Sequence, residues 1–356
     1  MFLKKKVKMS NLNSFYLLIL FFVINLICVI FIDKIKKCIN ILDRPDGIRK
    51  LQIEPVAPIG GFLIFFNIFI LFFLSFFNEN LSIFDRIFFE INQQPYLRAY
   101  FSFFVTTLFF FIIGLYDDNK NMSPSTKTVI LLFICFCTIL IDETLIIQNL
   151  NFNSFENEIR LNNFSYIFTV LCILFLVNAF NLYDGINLQS GIYFVIIYFY
   201  FFTKNIFPHL AVIFIISNLF FLYLNFKNKI YYGDNGIYIN SYIISYFIIK
   251  SYNYDLEGAP KFDEILLLFL LPSIEVFRLF ITRVIHLKNP FLGDRDHLHH
   301  LLLDKFKNLN LVNFILLLLI LTPILVFNYN GQFLLEIIIF FTSIYLTMII
   351  YLKYRS

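Results

Sequence analysis

Tryptophan is absent, so an aromatic belt of the kind that marks membrane–water interfaces would have to be built from the 21 tyrosines. Charge is scarce as well: only 15% of residues are Asp, Glu, Lys or Arg, too few to clothe a soluble domain of this size. A net charge of +4 is too mild to act as a nucleic-acid footprint, and no nucleic-acid partner is expected. The five cysteines, at 28, 38, 135, 137 and 172, form no metal-ligand spacing beyond the pair 135 and 137, which sits inside an apolar run and reads as packing. No small-residue cleavage site follows the first apolar run and a basic loop comes next, so that run is expected to be a retained helix. The lysines ahead of it leave Met1 and Met9 as alternative starts. No internal repeat and no low-complexity linker divides the chain.

What the sequence does have is hydrocarbon. Hydrophobic residues make up 59% and mean hydropathy is +0.77. Apolar runs of about 17 to 25 residues recur, each long enough to cross roughly 30 Å of hydrocarbon. They predict an all-α integral membrane protein, a polytopic bundle of about eleven transmembrane helices forming a single domain over 1–356. The expected spans are 14–32, 58–77, 98–115, 128–147, 164–180, 188–203, 207–225, 237–250, 262–283, 309–327 and 333–352. The weakest is 237–250, which is short and contains Asn240.

Threaded alternately through a bilayer, these spans send five polar clusters to one face: 43–61, 117–127, 178–187, 233–236 and 293–300. Most of the Lys and Arg gather on that face, which the positive-inside rule makes cytoplasmic, although Lys4, Lys5, Lys6 and Lys8 oppose the trend. The span ending in Gly-Leu-Tyr-Asp-Asp stops on two like charges, Asp117 and Asp118. Adjacent carboxylates at a membrane interface are costly unless a divalent cation or a cationic side chain holds them. A solvated interfacial anchor is the plain alternative for that pair taken alone. Asp234 in Gly-Asp-Asn-Gly would by itself read as a turn residue. Asn178 and Asn181, three apart at a helix end, face the same side.

Together the clusters carry a family resemblance. In chain order they read D-x-P-x-x-x-R-K from Asp43, P-x-G-G from Pro58, G-x-x-D-D from Gly114 with Lys127 nine residues past the second Asp, N-A-x-N-x-x-D-G from Asn178, G-D-x-G from Gly233 and P-F-x-x-D-R-x-H-x-H-H from Pro290. The chain resembles the polyprenyl-phosphate N-acetylhexosamine-1-phosphate transferases over 43–303. Those membrane enzymes load a sugar phosphate from a UDP-sugar onto a lipid phosphate. Its Asp-Arg followed by three histidines is similar to the branch that starts O-antigen, capsule and teichoic acid linkage lipids.

The resemblance implies a bacterial inner-membrane enzyme with its active site at the cytoplasmic face. Its substrates would be a UDP-N-acetylhexosamine, with UDP-GlcNAc the leading donor, and undecaprenyl or another polyprenyl phosphate; a homodimer is compatible with it. It implies Asp117, Asp118 and Asp184 as catalytic carboxylates, and Asn181 and Asp234 as ligands to magnesium, with manganese as the alternative ion. Arg49, Lys50, Lys127, Asn178, Asn187, Arg295, His297, His299 and His300 would bind substrate. This chemistry suits the residue types: two polyanions must be brought in line, and phosphoryl transfer is catalysed chiefly by positioning and charge neutralisation. Three departures stand out. Relatives often show D-G-x-D-G-L where this chain has Asp-Gly-Ile-Asn-Leu-Gln, so Asn187 replaces an acid and Gln189 an apolar residue. Gln52 stands where the first loop usually carries His, and Glu275 where relatives often place Asp; Glu275 and Arg278, three apart, are expected to pair. The alternatives are the phospho-N-acetylmuramoyl-pentapeptide transfer step of peptidoglycan synthesis, a transporter, and a non-catalytic scaffold. A transporter would place its polar groups near the midplane rather than at one face.

Overall fold

The computed structural model describes residues 2–43, 54–77, 90–91, 94–95, 97–154, 156–287, 295–329 and 333–354. Arg49, Lys50 and Gln52 lie outside them. The described chain is almost entirely helical. Its helices are α1 (Phe2–Ile30), α2 (Ile32–Ile39), α3 (Gly60–Phe77), α4 (Leu97–Lys120), α5 (Pro124–Ile141), α6 (Ser165–Tyr183) and α7 (Gln189–Thr203). They continue as α8 (Pro208–Phe226), α9 (Gly233–Asn253), α10 (Phe262–Leu268), α11 (Leu270–Ile285), α12 (Leu298–Phe306), α13 (Leu309–Tyr329) and α14 (Leu334–Tyr354). Helix is the natural state for such runs, because in lipid every backbone N–H and C=O must be satisfied within its own segment.

Each expected apolar stretch carries a helix. Among the described residues six helices are long and apolar enough to cross a membrane, or eight if the bent pairs α1–α2 (65°) and α10–α11 (78°) each count as one crossing. The stretch expected to run through 147 ends as a helix at Ile141, where Asp142 caps a short 3-10 turn over Glu143–Leu145. Helices α3 and α7 are shorter, and α9 is too polar to qualify by composition.

The reason for that polarity is position. Helix α9 packs against α3, α4, α6 and α7, and every residue from Asn235 to Ser251 is buried. Shielded from lipid, it carries polar side chains that bond to protein. Asn240 donates to Gly236 O at 3.0 Å and accepts from Tyr198 Oη at 3.2 Å and Asn218 Nδ2 at 3.3 Å. A similar pair joins α1 to α3, where the amides of Asn25 and Asn67 bond reciprocally at 2.9 and 3.1 Å. The outer helices do the opposite: Phe133, Leu325 and Ile339 are each more than half exposed, as lipid-facing side chains are. A multi-pass membrane protein results.

Three contacts fix the two ends of α9. At its start, Ile230–Tyr231 pairs in parallel with Ala57–Pro58, drawing the polar stretch before α3 alongside Gly233. α4 crosses so closely that a Cβ on Gly114 would collide with the backbone of Asn235, which brings Asp117 and Asp118, one turn on, beside Asp234. At its far end Lys250, fully buried, pairs with buried Asp142 at 3.0 Å.

Candidate active site

Four elements converge on the first turn of α9. Asp117 and Asp118 come from the end of α4, Lys127 from the first turn of α5, Asn181 from the end of α6 and Asp234 from α9 itself. Lys127 is presented there by a well-formed helix start: Ser123 accepts from Thr126 N–H at 3.2 Å and Pro124 occupies the first turn. Its Nζ bridges the carboxylates of Asp117 and Asp234, at 2.8 Å from Asp234 Oδ2. The Asn181 amide bonds to the other Asp234 oxygen.

The two adjacent aspartates face different partners. Asp117 is buried, accepts from Met122 N–H at 2.8 Å and from Tyr238 Oη at 3.3 Å, and meets Lys127. Asp118 instead closes the start of α9, accepting from the backbone N–H of Asp234 at 2.9 Å and of Asn235 at 3.3 Å, and from Asn235 Nδ2 at 2.6 Å. A carboxylate on the free N–H groups of a helix start is favourable both as a cap and against the helix dipole. Tyr238 and Asn235 were not singled out as site residues from sequence. The signal for Tyr238 was its place four residues after Asp234 on the same helix face.

A second group adjoins the first. Asp184 follows α6, and desolvation pushes its half-buried carboxyl up to about 7, with the charge of Asp234 adding to the rise. His297, His299 and His300 at the start of α12 are all buried, with ring centroids 4.3 to 6.2 Å apart. Glu275 braces that start: its Oε1 accepts from Leu298 N–H at 2.8 Å and from Arg278 Nη2 at 2.9 Å, and lies 3.6 Å from His297 Nδ1. Arg278 also donates to Asp296 O at 2.7 Å and to Tyr345 Oη at 2.6 Å. The expected pairing of Glu275 with Arg278 is present, and it ties the histidine loop to α14.

The remaining candidates stand apart from the cluster's hydrogen bonds. Asn178 turns its amide back onto Leu174 O at 2.9 Å. Asn187 bonds to Asn228, and its carbonyl accepts from Asn313 Nδ2 at 2.9 Å. Arg295 pairs with Asp304 at 2.8 Å.

For a cation, Asp234 and Asn181 form an adjacent pair whose oxygens can both face one point, since the amide of Asn181 can be turned to present Oδ1. Among the described residues no group of three His, Cys, Asp or Glu is placed to hold a metal ion. Such a cation would draw its other ligands from water and substrate, the habit of magnesium.

Carboxylates, a lysine and amides are thus gathered at the end of one buried helix of a multi-pass bundle. Residues 100–252, which contain Asp117, Asp118, Lys127, Asn181, Asp184 and Asp234, match glycosyl transferase family 4. The chain is also similar to an undecaprenyl-phosphate alpha-N-acetylglucosaminyl 1-phosphate transferase of Thermotoga maritima, 28% identical over 263 residues that cover 73% of this chain and 72% of the relative. Both likenesses indicate a phosphosugar transferase enzyme.

Proposed function

We propose that this enzyme transfers a HexNAc-1-phosphate from a UDP-sugar, with UDP-GlcNAc the leading donor, to a polyprenyl phosphate such as undecaprenyl phosphate, as the first membrane step of cell-surface polysaccharide synthesis. The observation that carries the reading is the bridge from Asp117 through Lys127 to Asp234, with Asn181 alongside. One lysine held between two carboxylates leaves the cluster with a net negative charge, which a divalent cation would offset so that phosphates could enter. The name of the Thermotoga maritima relative supports the same substrates.

An oxygen of the lipid phosphate attacks the phosphorus next to the sugar, the bond from that phosphorus to the UMP oxygen breaks, and UMP leaves. The attacking phosphate is already largely a dianion at pH 7, with a second pKa near about 6, so no strong base is required. Lys127, oriented by Asp117, then neutralises phosphate charge, while Asp118 keeps Asp234 in place through the start of α9. Asp234 and Asn181 would hold magnesium, or manganese, which when bound supplies charge neutralisation across the two phosphates. His297, His299, His300 and Arg295 offer donors to phosphate or sugar oxygens, and Arg49 and Lys50 supply further cations. In a bacterial inner membrane the site faces the cytoplasm, where nucleotide sugars are made.

The test uses purified protein in detergent with undecaprenyl phosphate and a panel of UDP-N-acetylhexosamines. UMP release is followed with magnesium, with manganese and with EDTA. The expected result is metal-dependent UMP formation from one donor, reduced by at least about 100-fold in Asp234→Asn that retains the wild-type melting profile. No UMP from any donor with folded wild-type protein would overturn the reading.

A further inference from the structure

Gln189, the apolar-to-amide departure at the start of α7, is buried with 2% of its surface exposed, as is His299. Its Oε1 lies 3.4 Å from Gly185 N–H and its Nε2 lies 3.3 Å from His299 Nδ1. These two contacts determine one another. A backbone N–H can only donate, so the amide oxygen belongs on the Gly185 side and the NH2 group on the His299 side. The NH2 group can only donate in turn, so His299 Nδ1 must accept. A neutral imidazole has one proton, and it is left on Nε2.

We infer that Gln189 is a positioning residue that locks His299 in the Nε2–H tautomer, so that His299 meets substrate as a neutral hydrogen-bond donor rather than as a base. Among the described residues the donor has no partner: His299 Nε2 is buried without a hydrogen bond. It is turned toward the Asp184–Gly185 loop, so closely that a Cβ on Gly185 would run into the imidazole at Nε2. An orphaned buried donor costs on the order of 1 to 3 kcal/mol, which an incoming oxygen acceptor would relieve. Burial, followed by the nearby His300, His297 and Arg278, also pushes the His299 imidazole well below the usual histidine range, in keeping with a neutral ring. The acceptor class, a phosphate or sugar oxygen of the donor substrate, rests on the function proposed above; the tautomer does not.

The closing experiment therefore reads the tautomer without substrate. Full-length protein carrying 15N-labelled histidine is examined in lipid by solid-state NMR at neutral pH, and His299 is assigned by the signals lost in His299→Gln. Wild type is expected to show His299 protonated at Nε2 alone. In Gln189→Glu the carboxylate accepts from both neighbours, so a proton is expected on Nδ1, with UMP release falling about 10-fold or more. A wild-type proton on Nδ1 overturns the inference whether or not the variant folds. So does a folded Gln189→Glu whose Nδ1 stays bare, or one whose Nδ1 gains the proton while turnover is unchanged. Loss of all UMP formation in wild type with the Nε2–H signal intact would instead strike only the proposed substrate acceptor.

Discussion

Asp117 and Asp118 are neighbours in sequence with separate tasks: one meets the ammonium of Lys127, the other holds the first N–H groups of α9. Sequence could flag the cost of the pair at a membrane edge but not the division, because only the crossing of α4 over α9 turns Asp118 toward a helix start. Asp184 has a different cost. Its carboxyl, pushed up to about 7, sits well above the usual value of about 3.9. A raised folded-state value means that the folded protein holds the proton more tightly than the unfolded chain, so this group's contribution to stability is present at low pH and is lost as pH rises from about 4 through about 7. Asp184→Asn should remove that loss. In EDTA, to keep metal out, the variant is expected to melt higher than wild type at pH 7.5 by on the order of 1 kcal/mol, a figure discounted from the full shift because part of the side chain reaches solvent. The advantage should shrink toward pH 5.5. Parallel pH profiles of the two proteins would show that Asp184 ionises at no cost.

At the scale of elements, α9 is the case where hydropathy misleads. A window average treats Asn240, Ser241, Ser245 and Lys250 as poor membrane residues, yet all four are buried, the first three bonding back to carbonyls of α9 itself and Lys250 pairing with Asp142. Apolar runs were plainest where a helix faces lipid, as in α13 and α14, and weakest over 237–250, where protein replaces lipid on all sides of α9. The same holds for the site: clusters sharing a face could be threaded together, whereas the contact of Gln189 with His299 spans 110 residues and depends on where α12 docks. Lys250 offers the test of α9 as a single rigid element. With a rise of 1.5 Å per residue it lies about 24 Å along the helix from Asp234. Removing one partner of a buried ion pair strands the other charge, so Lys250→Met should cost about 3 to 5 kcal/mol. The double replacement Lys250→Met with Asp142→Leu should recover most of that loss, and turnover per folded molecule should stay near wild type. A double variant no more stable than the single one would show that the pair does more than cancel its own charges.

For the whole molecule, the two ends of α9 define two faces of the bundle. One gathers Asp117, Lys127, Asn181 and Asp234; the other gathers Asp142, Lys250 and the paired strands Asn149–Leu150 and Ile159–Arg160. Which face looks inward follows from chemistry as well as from charge bias. A nucleotide sugar carries a fixed diphosphate and does not cross hydrocarbon unaided, so with the nucleotide-sugar donor proposed above the Asp234 end is expected to open to the compartment that makes it. Ser125, in the first turn of α5 beside Lys127, and Glu257, in the loop after α9, are both exposed and mark the two faces. In a background with the exposed Cys38 replaced by Ser, Ser125→Cys is expected to react with a membrane-impermeant maleimide in inverted bacterial membrane vesicles but not in intact spheroplasts. Glu257→Cys should show the reverse pattern. If Ser125→Cys were labelled from outside the cell, the carboxylate end would face a compartment without nucleotide sugars. The chain would then keep its phosphate socket and need a different donor, because the orientation of one buried helix decides which phosphates can reach it.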